Sequence, residues 1–95
     1  MFSHYIIVKF KPDYDWKSHL SDIKELFNHA KEIKGIEDVY YHETCSDRVG
    51  RAHLAIELVM TDEALPLYDA SWFHKQWKEE YGNQIEQKVI FDTEV

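Results

Sequence analysis

The sequence predicts an α+β domain of the split βαβ type, with element order β-α-β-β-α-β, an antiparallel four-stranded sheet and both helices on one face. Three observations predict it. Four runs are rich in β-branched and aromatic residues, two segments space their apolar residues at the helical period, and turn chemistry separates them.

The opening His4-Tyr5-Ile6-Ile7-Val8-Lys9-Phe10 reads as a strand over about 3–10, closed by Pro12-Asp13. Trp16, Leu20, Ile23, Phe27, Ala30 and Ile33 then recur at steps of three and four, which gives one buried stripe of a helix over 16–34. Asp15 is suited to cap its start and Gly35 to end it. Ile36 to Cys45 and Ala52 to Met60 read as strands joined by a loop at Ser46-Asp47 and Gly50. Thr61-Asp62 opens a helical stretch that Pro66 delays or kinks, because proline lacks the amide a helix interior needs. Ser71 can cap a better-formed helix from Trp72 to Tyr81, in which Phe73, Trp77 and Tyr81 share a face and Gly82 stops the run. Ile85 to Thr93 closes the chain as a strand. This order is the ferredoxin-like arrangement, and 95 residues leave room for one such domain spanning 1–95.

Composition excludes several classes of function. A net charge of −7 lacks the basic footprint that nucleic acid or an anionic membrane demands. No apolar run approaches the roughly 20 residues needed to cross a bilayer. The single Cys45 cannot close an internal disulfide and no secretory leader is visible, so the expected location is the cytoplasm. No phosphate-binding glycine loop, zinc-ligand spacing or nucleophile elbow occurs, so neither a metal nor a cofactor is expected.

A sheet covered on one side should alternate apolar and polar residues, but these strands are apolar on both faces. Two helices can cover only one face, and a two-fold copy of the same sheet is the simplest cover for the other. A homodimer is therefore expected, through a face assigned from alternation to Tyr5, Ile7, Leu54, Ile56 and Leu58.

Histidine usage is the chemical peculiarity, with six in the chain. His19, His29 and His42 read as ordinary surface residues. His4 falls on the face of Ile6 and Val8, which is taken to face the helices, and His53 starts its strand on the face of Ala55. With the first and third strands taken as parallel neighbours, the two imidazoles are expected at one end of one cavity. His74 lies in the first turn after Ser71, where exposed amides disfavour a cation, so it should stay neutral and can serve as a base. Tyr68 lies across the Ser71 junction from it. A tyrosine with one to three histidines in an apolar pocket suits proton transfer next to a carbonyl, one group taking the proton and another holding the enolate oxygen. Glu57 is expected to turn toward the helices, where it either orients a histidine or is turned to solvent by a bulge.

The stretches His4-Tyr-Ile-Ile-Val-Lys-Phe-Lys11, Gly35-Ile36-x-x-Val39, Glu63-Ala-Leu-x-x-Tyr68 and Val89-Ile-Phe-Asp92 resemble the stress-responsive dimeric α+β barrel (Dabb) family over essentially the whole chain. The spacing is similar to that of a plant polyketide cyclase of the family. The resemblance implies a homodimer closed through its sheets, a catalytic pair at Tyr68 and His74, and strand histidines at His4 and His53. It also implies a pocket lined by Ile6, Val8, Ile23, Leu26, Phe27, Ala30, Ala55, Ile85 and Ile90. Two departures matter: the family's His-Pro-x-His reads Ser71-Trp72-Phe73-His74, with Trp72 expected to crowd or reshape the entrance, and Glu57 and Lys88 are expected to make the cavity smaller or more polar. The function this implies is cofactor-independent acid/base chemistry of cyclase or lyase type on a small carbonyl or polyketide-like compound. The alternatives are a non-catalytic dimer that binds a small apolar ligand in a stress response, and a cofactor-free monooxygenase of the wider superfamily.

Overall fold

The computed structural model describes all residues from Met1 to Val95. The strands are β1 (Phe2–Phe10), β2 (Ile36–Glu43), β3 (Leu54–Met60) and β4 (Ile85–Glu94), and the helices α1 (Trp16–Asn28), α2 (Ala64–Asp69) and α3 (Trp72–Tyr81). They form one sheet in the order β2-β3-β1-β4, with every neighbouring pair antiparallel. This is the ferredoxin-like arrangement read from the sequence.

Local chemistry explains the boundaries. The long first helix ends earlier than its apolar stripe suggests, because a 3-10 turn over His29–Glu32 tightens its last residues. Gly35, at a φ of +98°, then reverses the chain into β2. Asp15 precedes α1 but makes no side-chain capping bond, whereas Ser71 caps α3 by accepting the His74 amide at 3.3 Å. Pro66 is accommodated in the first turn of the short α2, where an amide would have no helical partner.

The helices cover one face of the sheet. Ile6, Val8 and Phe10 of β1 and Leu54, Ile56, Leu58 and Met60 of β3 are buried there, with Ile23 and Phe27 of α1 and Phe73 and Trp77 of α3. The Phe27 and Trp77 rings meet edge to face at 5.0 Å and join the two helices. Each fully buried side chain of this size contributes roughly 1.5–3 kcal/mol.

Two expectations about the sheet are corrected. β1 and β3 run antiparallel, because β3 follows β2 through a hairpin and fills the slot between β1 and β2. The register sets Ile6 opposite Ile56 and Val8 opposite Leu54, so Leu54, Ile56 and Leu58 are core rather than open-face residues. Ala55 and Glu57 are correspondingly on the uncovered face with Tyr5 and Ile7, away from the helices. That face remains largely apolar, and Tyr40, Val89 and Phe91 on it are about half exposed (46%, 57% and 53%).

Candidate functional site

Tyr68 ends the buried face of α2 and is 1% exposed. Its ring is 4.7 Å from that of His74 and 5.7 Å from that of His4, so three of the four residues singled out in the sequence come together. Ser71 fixes the α2–α3 corner between them, its hydroxyl donating to the Tyr68 carbonyl at 2.7 Å and accepting the His74 amide.

The hydrogen bonds assign both imidazoles. His74 Nδ1 is 3.0 Å from the Asp69 carbonyl, which can only accept, so Nδ1 carries the proton and Nε2 keeps its lone pair. Burial, outweighing the Asp69 carbonyl, holds His74 below its ordinary pKa, with help from the nearby Lys78 and Lys88 ammonium groups. His4 Nδ1 is 2.6 Å from Asp92 Oδ1 and donates to it. Burial pushes the Tyr68 phenol well above the usual tyrosine range, and the Asp69 charge adds to this. Its hydroxyl therefore stays protonated.

Asp92 was not singled out as a site residue. The signal lay in the β1–β4 register, which sets His4 directly opposite Asp92 and Ile6 opposite Ile90. β4 is an edge strand, and Ile90 is 48% exposed on its helix-side face. The chemistry-bearing groups are thus open to solvent along β4: His74 and Asp92 are only partly covered, while Tyr68 stands behind them.

His53 is elsewhere. Its amide donates to Val8, its Nδ1 accepts the Phe10 amide at 2.9 Å, and its ring stacks on Phe10 and Trp16. It lies beside Lys9, and at about 3.4 Å per residue along β1 that is roughly 17 Å from His4. The antiparallel pairing of β1 and β3 separates the two histidines that a parallel pairing would have joined. A cavity of about 570 Å³ lies at this His53 end, walled by Trp16, Lys17, Arg48 and Arg51.

The expected lining residues divide in the same way. Ile6 and Ile90 flank the Tyr68 cluster, and Ile85 pairs with Phe10 at the opposite end. Val8, Ile23, Phe27 and Ala30 are closed core with no exposed surface, and Leu26 lines a separate groove between α1 and α3. Trp72 does not stand over His74: two residues apart on a helix point to opposite sides, and Trp72 packs on His29 at 4.8 Å. Glu57 accepts hydrogen bonds from Ser3 Oγ at 2.7 Å and His42 Nε2 at 2.9 Å, so it orients a histidine, though on the open face.

The arrangement can perform acid/base work. It presents one neutral imidazole with a free lone pair, one protonated phenol and a second imidazole held by a carboxylate. No group of histidines, cysteines and carboxylates is placed to hold a metal ion. No helix is long and apolar enough to cross a membrane.

No family model matches the sequence, and no curated protein matches it. Solved structures do match in shape. A dimeric ferredoxin-like protein of unknown function from Thermobifida fusca superposes with a TM-score of 0.81 at 7% identity, covering 99% of this chain and 90% of its own. A hydroxynitrile lyase from Passiflora edulis gives 0.77 at 12% identity, covering 99% and 92%. A Dabb family protein with a ferredoxin-like fold from Mesorhizobium loti gives 0.73 at 15% identity, covering 97% and 93%. Over its whole length, the chain has the ferredoxin-like fold that these dimeric and Dabb proteins share.

Proposed function

We propose that this chain is a homodimer of Dabb type that catalyses cofactor-independent proton transfer on a small carbonyl compound, with His74 as base and Tyr68 as the donor to the carbonyl oxygen. The observation that carries the reading is the buried, protonated Tyr68 phenol with its ring 4.7 Å from that of His74, whose Nδ1 is already committed to the Asp69 carbonyl. His74 Nε2 takes a proton from the carbon next to the carbonyl, and the Tyr68 O–H stabilises the enolate oxygen as charge develops on it. His4 is held beside Tyr68 by Asp92 at Nδ1. The dimer forms through the uncovered face that carries Tyr5, Ile7, Val89 and Phe91. The closed packing of Val8, Ile23, Phe27 and Ala30 favours a compact substrate lying along Ile90 over a long polyketide. A hydroxynitrile lyase of the same fold shows that the fold accommodates lyase chemistry in that protein.

The test is exchange of α-protons for deuterium in small β-keto and aryl ketone compounds, followed by NMR. Wild type should accelerate exchange in at least one compound, with His74→Ala and Tyr68→Phe each slower by roughly 10²–10⁴. Exchange no faster than buffer across the series overturns the catalytic reading.

A further inference from the structure

We propose that the cavity between the β2–β3 loop and the start of α1 binds a small phosphate monoester, its phosphate held by Arg48, Arg51 and Lys17. The site is separate from Tyr68 and His74, and the proposal is independent of the reaction proposed above.

Arg48 and Arg51 are the only arginines in the sequence, and both line this cavity of about 570 Å³ together with Lys17 of α1. None of the three is in an ion pair. Local hydrogen bonds order the loop that carries the arginines. The Thr44 amide donates to the His53 carbonyl at 2.9 Å and closes the hairpin. The Thr44 hydroxyl donates to the Ser46 carbonyl at 3.2 Å and accepts the Ser46 amide at 3.1 Å, while Ser46 Oγ accepts the Arg48 amide at 3.2 Å. Gly50, at a φ of +85°, then turns the chain between the two arginines.

The charge balance selects an anion. The wall holds three cations and one carboxylate, Asp47, in a chain of net charge −7. Glu86, whose charge reaches His53, is answered by Lys9 at 2.8 Å. Trp16 and Lys17 are the first two residues of α1, so the helix also brings its positive end to the wall. His53 adds a donor. Burial, with the Lys9 and Lys17 charges outweighing Glu86, holds the ring below its ordinary pKa, and Nδ1 accepts the Phe10 amide, so the neutral ring carries its proton on Nε2. Two guanidinium forks and an ammonium match the oxygens of a phosphate dianion, which only accept. Three cations at one mouth answer a single phosphate group, whereas a nucleic-acid strand needs a longer basic track. The Trp16 and His53 rings, stacked at 5.3 Å, give the organic part of the ester an apolar side to lie against.

The experiment titrates phenyl phosphate into the isotope-labelled full chain at about 0.15 M salt, where long-range surface attraction is screened, and follows amide NMR shifts. Saturable shifts should centre on Lys17, His53 and the loop from Thr44 to Arg51, with a dissociation constant of about 1 mM or tighter. Arg48→Gln and Arg51→Gln replace exposed side chains, and each should weaken binding about tenfold. Lys75→Gln on α3 should stay within about twofold of wild type, and phenol, which lacks the phosphate, should give no saturable shift. The amide spectrum itself reports that each variant is folded. No saturable shift from phenyl phosphate up to about 10 mM, shifts centred on His4 and His74 instead, arginine variants within about twofold of wild type, or phenol binding as tightly would each overturn the proposal.

Discussion

His4 Nδ1 and Asp92 Oδ1 lie 2.6 Å apart across the β1–β4 ladder, joining the third residue of a central strand and the third-last residue of an edge strand into one polar unit. The carboxylate accepts from Nδ1 of His4 and so fixes a proton on that nitrogen. Asp92→Ala should lower proton-transfer activity by about tenfold to hundredfold, the worth of one charge-assisted hydrogen bond. Because Asp92 is half exposed, the thermal midpoint should hardly move. A fall in stability with activity intact would assign the pair a purely structural role.

The pH dependence of stability follows from His53. Burial first, then the Lys9 charge, holds it below its ordinary 6.5, so the folded chain resists a proton that the unfolded chain accepts. Its contribution is complete above about pH 6.5 and is lost as pH falls from there through the lower folded value. Protonation also removes the lone pair that accepts the Phe10 amide. His53→Asn, which retains an acceptor without titrating, should show a smaller drop in thermal midpoint between about pH 7.5 and pH 5.5 than wild type does. Equal drops would show that His53 is not the group responsible.

Gly35 is held by geometry. Its φ of +98° is disfavoured for any other residue, and a Cβ there would stand 2.5 Å from Thr61 Oγ1 and 3.1 Å from Ala64 Cβ. Gly35→Ala should cost about 2 kcal/mol or more in denaturant unfolding, and Thr61→Ala in the same chain should recover only the part due to the clash. Complete recovery would place the whole cost in the contact and none in the backbone.

Ser71 couples stability to the site. Loss of its cap in Ser71→Ala should cost about 1 kcal/mol. The same hydroxyl ties the Tyr68 carbonyl to the start of α3, so activity should fall further than an equally destabilising change elsewhere, such as Ile36→Val in β2. Equal activity in two variants matched for stability would reduce Ser71 to a helix cap.

Much of the fold was determined by the sequence, because its signals are local. The period-three-and-four stripe from Trp16 to Ala30, the cap at Ser71 and the glycine at Gly35 each act within a few residues and lie where they were read. The strands' two apolar faces were equally legible, since alternation is a property of the chain itself. Which face meets the helices was decided only by cross-strand register. A period of two labels the faces of β3 without saying which is inside, and the pairing of Val8 with Leu54 sent Leu54, Ile56 and Leu58 into the core and Glu57 outward. Strand direction decided the site in the same way. Tyr68 and His74 lie six residues apart across one corner and were found from the sequence, whereas His4 with Asp92, and His4 without His53, depend on partners 88 and 49 residues away that only the assembled sheet brings near or holds apart.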